Sequence, residues 1–219
     1  MMQKREAATG QSLPLRNMYL NGLCFITDGN ICELTSREMS SIVLGAGVKW
    51  IQYREKNKTR RDIYNEAALL RKLTTKFKAA FIVNDHADIA LAVNADGVHL
   101  GQEDLPVKEA RKILGKGKII GISTHNIEQA VDAEAGGADY IGFGPLFPTK
   151  TKDAGEPKGV EMLREIKKKI KIPVVAIGGI NAENLKSVLD SGADAVAVAS
   201  AILNGDIYKN TSAFLKMLK

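Results

Sequence analysis

Three sets of residues in this sequence carry groups suited to holding anionic oxygens. In Gln52-Tyr53-Arg54-Glu55-Lys56, an extended chain puts Gln52, Arg54 and, if the strand runs on, Lys56 on one side. Two cations at a strand end form an anion clamp, and Arg54 can bind oxygens bidentately. A strand running out into solvent would explain the charges but not their alternation. The stretch Gly142-Phe143-Gly144-Pro145-Leu146-Phe147-Pro148-Thr149-Lys150-Thr151-Lys152 follows the short apolar run Tyr140-Ile141. Its glycines let backbone approach a ligand, its prolines stiffen the exit, and its hydroxyls alternate with ammonium groups suited to phosphate. A plain polar loop with surface lysines has the same composition. Gly178-Gly179-Ile180-Asn181 and Ala199-Ser200-Ala201 are the third set, exposing backbone N–H groups where helices begin.

Carboxylates and hydroxyls fall at similar places. Asp85, in Asn84-Asp85-His86, and Asp104, in His99-Leu100-Gly101-Gln102-Glu103-Asp104-Leu105-Pro106, each follow an apolar run. Either could cap the helix that comes next. If their strands are neighbours about 4.8 Å apart, the two could instead share a hard cation such as Mg²⁺, completed by substrate phosphates. Ser123, in Gly121-Ile122-Ser123-Thr124-His125-Asn126, is a phosphate donor or, like Asn126, a helix cap. His99 is expected to pack at the top of its strand, and no role is assigned to His86 or His125.

The elements that must position these groups recur. Gly45-Ala46-Gly47-Val48-Lys49-Trp50-Ile51, Val93-Asn94-Ala95-Asp96-Gly97-Val98, Gly136-Gly137-Ala138-Asp139-Tyr140-Ile141 and Ser191-Gly192-Ala193-Asp194-Ala195-Val196 each read as a helix stop, a tight turn and a strand. Further β-rich runs lie at Leu23–Thr27, Ala80–Val83, Lys118–Ile122 and Pro173–Ile177, and amphipathic stretches such as Arg61–Phe77 and Val160–Lys169 separate them. Eight strand–helix units in 219 residues favour an α/β fold with a single closed (β/α)8 TIM barrel over an open doubly wound sheet. Residues 1–17 read as a flexible arm and 18–219 as the barrel domain. In such a barrel the chemistry sits just past the strands, and the seventh and eighth loops commonly bind phosphate. The groups above all fall there.

Bulk composition narrows the partners. A net charge of +6 allows nucleic acid, anionic membrane or small phosphorylated ligands. With aromatics at 5% and no nucleic-acid-binding signature, nucleic acid is not expected. No apolar run reaches membrane-spanning length, so no membrane partner is expected either. Lys167-Lys168-Lys169, with Lys171, ends a predicted helix and reads as a solvated face suited to its dipole. Cys24 and Cys32 lack metal-ligand spacing and fit a reducing cytosol, and residues 1–17 lack the apolar core of a signal peptide. A cytoplasmic location is expected, and homo-oligomerisation stays open.

In order along the chain, these motifs, with Gly97-Val98-His99-Leu100-Gly101-Gln102-Glu103-Asp104, Ala176-Ile177-Gly178-Gly179-Ile180 and Ser200-Ala201-Ile202, resemble those of the thiamine phosphate synthase family from about Leu23 to Ile202. The resemblance implies a transferase of thiamine biosynthesis. It would join an aminopyrimidine methyl diphosphate to a thiazole ethyl phosphate, releasing pyrophosphate by a dissociative, Mg²⁺-assisted substitution. It implies that Gln52, Tyr53, Arg54, Glu55, Lys56, Asn84, Ser123 and Lys152 hold the pyrimidine diphosphate, with Arg54, Lys56 and Lys152 neutralising charge on the leaving group. Asp85 and Asp104 would hold Mg²⁺. Thr149, Lys150, Thr151, Gly179, Ala199 and Ser200 would hold the thiazole phosphate, the last three mainly through backbone. Ala199 departs from the larger aliphatic common in the family, and residues 1–17 match nothing in its core. Two rival readings are a thiazole tautomerase-like relative and a catalytically silent module that binds thiazole or thiamine phosphate. Neither has an evident need for both carboxylates together with the cationic clamp.

Overall fold

A computed structural model describes residues 20–149 and 155–219 of the chain. The arm at 1–17 and the residues Lys150, Thr151 and Lys152 lie outside the described residues. The strands are β1 (Gly22–Ile26), β2 (Trp50–Tyr53), β3 (Ala80–Asn84), β4 (Gly97–Leu100), β5 (Ile119–Thr124), β6 (Tyr140–Phe143), β7 (Val174–Ile177) and β8 (Ala195–Val198). The helices are α1 (Ser36–Ala46), α2 (Arg60–Lys76), α3 (Ala87–Ala92), α4 (Val107–Leu114), α5 (Ile127–Ala135), α6 (Gly159–Lys169), α7 (Leu185–Asp190), α8 (Ser200–Leu203) and α9 (Ile207–Met217). Every strand pairs in parallel with its sequence neighbours, and β1 also pairs with β8, closing the barrel. The predicted strands and helices match these within two residues. The second strand is the one that matters: it ends at Tyr53, so Lys56 stands on a loop and strand alternation does not place it.

Alternation along the strands builds two cores. Phe25, Ile51, Phe81, Ile120 and Ile141 face outward against the helices. Cys24, Ile26, Trp50, Ile82, Tyr140 and Val175 face the barrel axis. The axis is narrow for Trp50 and Tyr140, whose rings meet edge to face with centroids 5.3 Å apart. Gly121 makes the room: a Cβ there would lie 2.1 Å from Cζ of Tyr140. Burial holds the Cys24 thiol in its neutral form, in keeping with an inert cysteine.

The recurring phrase is a hydrogen-bonding device at the end of the barrel opposite the mouth. A left-handed residue (Gly47, Asn94, Gly137 or Gly192) ends each helix or helix turn. In three of the four copies the aspartate before the next strand then accepts a backbone N–H from the preceding strand. Asp96 takes that of Phe81 at 2.8 Å, Asp139 that of Ile120 at 2.8 Å and Asp194 that of Val174 at 2.7 Å. Each carboxylate also pairs with a cation from the preceding helices, Arg71, Arg111 and Lys167 respectively. In the first copy Lys49 takes the position and donates to the Phe77 carbonyl at 2.9 Å.

Gly121→Ala should therefore destabilise the chain by about 3 kcal/mol, through overpacking against Tyr140. Gly45→Ala, on the exposed side of α1 with nothing within 4 Å of the added carbon, should stabilise it by roughly 0.5–1 kcal/mol. Urea unfolding of both variants checks the pair, and equal effects would contradict it.

Candidate active site

At the mouth, loops one and two are tied together first. The Thr27 hydroxyl accepts the Arg54 N–H at 3.0 Å and lies 3.3 Å from the Arg54 carbonyl. Asp28, the residue just past this threonine, accepts from the Arg54 guanidinium at 3.2 Å. Its other oxygen accepts the N–H of Asn30 at 3.0 Å and the Asn30 side chain at 3.1 Å. The Asp28 side chain is 3% exposed and that of Arg54 19%, so the guanidinium is held at one edge and open at the other. Asp28 was not singled out from sequence, although the rule that found the other groups, looking just past each strand, reaches it.

Two expected ligand residues are corrected here. Tyr53 points outward, and its buried hydroxyl donates to Glu66 on α2 at 2.7 Å. Burial and that carboxylate push its pKa far above the ordinary phenol value, and its side chain cannot reach the mouth. Glu55 folds its own loop, accepting the N–H groups of Lys56 and Asn57 at 2.8 Å and pairing with Lys58 at 3.5 Å. Its side chain serves the loop, not a ligand.

The next sector is a chain of polar contacts across β2, β3 and β4. Gln52 faces the axis and donates to Asn84 at 2.7 Å, and Asn84 donates to Asp85 at 2.6 Å. Lys56 reaches Asp85 from the other side at 2.5 Å. Asp104 accepts the Gly101 N–H at 2.6 Å and meets Asp85. Neither aspartate is a helix cap: α3 is preceded by His86 and α4 by Pro106, without a side-chain cap bond in either case. Asp85 has φ 64°, a left-handed conformation that non-glycine residues adopt rarely and that clusters at functional sites. Burial pushes the Asp85 carboxyl up, but hydrogen bonds from Lys56, Asp104 and Asn84 outweigh it and leave it below its ordinary value. Asp104 is held above its ordinary value by burial and by the Asp85 carboxyl, against the Gly101 N–H. Two facing carboxylates whose pKa values are driven apart suit a divalent cation between them. Among the described residues no set of three or more His, Cys, Asp or Glu side chains forms a metal site, so ligand oxygens or water would have to complete the shell.

The rest of the mouth surrounds a pocket of about 780 Å³, open to solvent, lined by Asp28, Arg54, Ser123, His125, Thr149, Gly178, Gly179, Ala199 and Ser200 among others. Gly178 and Gly179 have φ 94° and 66°, and a Cβ on either would lie 2.6 Å from Pro145 or Pro148 atoms. Only glycine lets loop six lie against loop seven, where Leu146 and Phe147 donate to the Ile177 and Gly178 carbonyls at 2.9 and 3.0 Å. Helix α8 starts at Ser200, so its first N–H groups have no partner within the helix. With four residues it adds little dipole, and those N–H groups are what it offers an anion.

Ser123 is not a cap. Asn126 is, accepting the Gln129 N–H at 2.8 Å. The Ser123 hydroxyl instead sits 2.9 Å from Nε2 of His99, whose Nδ1 is 2.9 Å from the Tyr140 hydroxyl. His99 thus packs at the top of β4 as expected. His125 lines the pocket and donates from Nδ1 to the Gly144 carbonyl at 2.6 Å, and His86 stands beside Arg60 at 3.3 Å. The histidine in the pocket wall was missed because a lone loop histidine carries no spacing signal.

A closed (β/α)8 barrel with paired glycines in loop seven, a helix start in loop eight and a charged rim over loops one to four defines a barrel enzyme with an anion-handling mouth. Comparison with known proteins makes the class specific: the chain belongs to the thiamine monophosphate synthase family, whose model matches residues 23–202. It is 50% identical over 194 residues to the thiamine-phosphate synthase of Clostridium novyi strain NT, covering 87% of this chain and 94% of that one. It is 42% identical over 219 residues to that of Methanosarcina mazei, covering 98% and 91%. The thiamine phosphate pyrophosphorylase structure from Pyrococcus furiosus superposes with a TM-score of 0.85 at 42% identity, covering 94% of this chain and 98% of that one.

The Asp28–Arg54 pair yields an asymmetric expectation. Arg54→Gln strands a carboxylate that is 3% exposed and should cost about 2 kcal/mol of unfolding free energy. Asp28→Asn leaves a guanidinium able to turn to water and should cost about 1 kcal/mol. Denaturant titration of the two variants checks the order.

Proposed function

We infer that this chain is a thiamine phosphate synthase that joins an aminopyrimidine methyl diphosphate to a thiazole ethyl phosphate. The observation carrying this reading is convergence: Arg54, Ser123, Thr149, Gly179, Ala199 and Ser200 line one pocket, and the strands bearing Asn84, Asp85 and Asp104 stand between those bearing Arg54 and Ser123. Family membership and the identity to the relatives support it.

In the reaction the methylene–oxygen bond breaks and its electron pair leaves with pyrophosphate. The electron-rich aminopyrimidine carries the positive charge left on carbon. The thiazole nitrogen then gives its lone pair to that carbon. It bears no proton, so the mouth needs no general base. What the chain must supply is charge neutralisation and alignment. Arg54, fixed by Asp28, and Lys56, with Asn84 and Ser123, would hold the diphosphate, and Gln52 would face the pyrimidine from the barrel axis. Gly179, Ala199 and Ser200 would take the thiazole phosphate through backbone N–H groups, with Thr149 beside them. Lys150, Thr151 and Lys152, which follow in sequence, belong to this proposal by resemblance alone. Asp85 and Asp104 would hold Mg²⁺, which when bound supplies neutralisation of the leaving pyrophosphate.

Purified chain, both substrates and Mg²⁺ should yield thiamine phosphate and pyrophosphate in equal amounts, and a chelator should stop turnover while the fold persists. Asp85→Asn should lower the rate by about 30-fold, equivalent to about 2 kcal/mol. Binding without turnover would point to a sensor, and thiazole isomerisation alone to a tautomerase.

The carboxylate pair also sets a pH dependence. Asp85, with a depressed folded pKa, adds stability above its unfolded value, and this is lost as pH falls through the folded one. Asp104, with a raised folded pKa, costs nothing below its unfolded value and lowers stability as pH rises through the folded one. Mg²⁺ must displace the Asp104 proton, so its affinity should climb with pH across that window and its binding should release protons. Calorimetry in buffers of differing ionisation enthalpy measures both, and Asp104→Asn should abolish them.

A further inference from the structure

The hydroxyl of Tyr140 is buried inside the barrel, yet it forms the first link of a chain that ends at the mouth. Tyr140 is 1% exposed and His99 7%. The phenol oxygen is 2.9 Å from Nδ1 of His99, and Nε2 of the same ring is 2.9 Å from the Ser123 oxygen. The barrel is cleared for both rings. A Cβ on Gly121 would lie 2.1 Å from Tyr140, and one on Gly142 3.0 Å from Cε1 of His99. Trp50 packs edge-on to the phenol. Gln102 fixes the far end, donating to the Ser123 carbonyl at 2.6 Å.

The directions of the hydrogen bonds follow from what burial allows. Burial and nearby negative charge keep the phenol protonated. Leaving a buried O–H donor unpaired is costly, and among the described residues the partner of this hydroxyl is Nδ1 of His99. The phenol therefore donates and Nδ1 accepts, which excludes both the Nδ1–H tautomer and the imidazolium. The ring proton is then on Nε2, which can only donate, and the Ser123 oxygen receives it. The hydroxyl hydrogen of Ser123 cannot point back at Nε2, and Ser123 lines the pocket.

We propose that Tyr140 is a positioning residue: by donating to Nδ1 it locks His99 in the Nε2–H form, so that Ser123 presents its O–H to the pocket as a donor for an anionic oxygen. The opposite tautomer would turn that O–H back toward the ring and offer a phosphate only lone pairs. The proposal rests on the synthase reading for the identity of the anion, not for the proton positions.

Long-range ¹H–¹⁵N NMR of the ¹⁵N-labelled chain without substrates should find His99 protonated at Nε2 with a bare Nδ1. Tyr140→Phe should move the proton to Nδ1 or divide it between the two nitrogens. In steady-state kinetics Tyr140→Phe should lower kcat/KM about tenfold, the loss of one charge-assisted hydrogen bond. The double variant with Ser123→Ala should be no worse than Ser123→Ala alone, because both act through one donor. A ring protonated at Nδ1 in the unmodified chain, or at both nitrogens, overturns the proposal. So does a Tyr140→Phe variant with unchanged kcat/KM, or losses that multiply in full. A chain without synthase turnover would sink the functional reading and leave the NMR measurement to decide the tautomer.

Discussion

Parallel strands lie about 4.8 Å apart, and barrel closure turns that spacing into a ring in which rim side chains can reach those of the next strand. The mouth depends on this constraint. Asp28 after β1 holds Arg54 after β2, and Gln52 on β2 holds Asn84 on β3. Asp85 after β3 meets Asp104 after β4, and His99 on β4 holds Ser123 on β5. Each bond is a lateral step of one strand. Polar groups that would be costly to bury singly are satisfied in sequence around the rim. Such a network resists removal of one member and fixes the geometry of the others.

The two ends of the barrel use the same spacing for different purposes. At the end away from the mouth, Asp96, Asp139 and Asp194 each satisfy a strand N–H and a helix cation. Those carboxylates are engaged by the fold. At the mouth the accounting stays open: Asp104 faces a second carboxylate, and Gly178 and Gly179 leave backbone exposed to the pocket. The far end is thus braced by side chain–backbone bonds, while the rim leaves groups facing a pocket, as expected if the rim exists to receive a ligand.

The repeat was legible because helix stop, tight turn and strand each leave a local mark, and the four copies of the phrase lie on the four even strands. The positions of Arg54, Asp85, Asp104, Ser123 and Gly179 were legible for a related reason, since a residue at or past the carboxyl end of a strand must sit at the rim. What the motif alone did not give was the role of each of its members. Tyr53 sits between Gln52 and Arg54 and shares their motif, but the two-residue period turns its ring outward to Glu66. Glu55 looked like a rim ligand until its carboxylate closed on its own loop. Asp28 and Tyr140 were passed over because their work is done on partners distant in sequence, Arg54 at 26 residues and His99 at 41.

The two rim cations are not equivalent, and the difference lies in how each is paired. The partner of Arg54 is an aspartate at 3% exposure, anchored further by Asn30. Removing the arginine would strand a poorly hydrated carboxylate, so this pair persists. Lys56 is 49% exposed in its pair with Asp85, and a pair so open to water contributes little. A lysine held that weakly on a loop can change partners at small cost, whereas a guanidinium fixed along one edge can only offer the other. A diphosphate arriving at this mouth would therefore meet one preorganised donor and one adaptable one. On the proposed reading, Arg54 would set where the anion rests and Lys56 would adjust to charge as it develops.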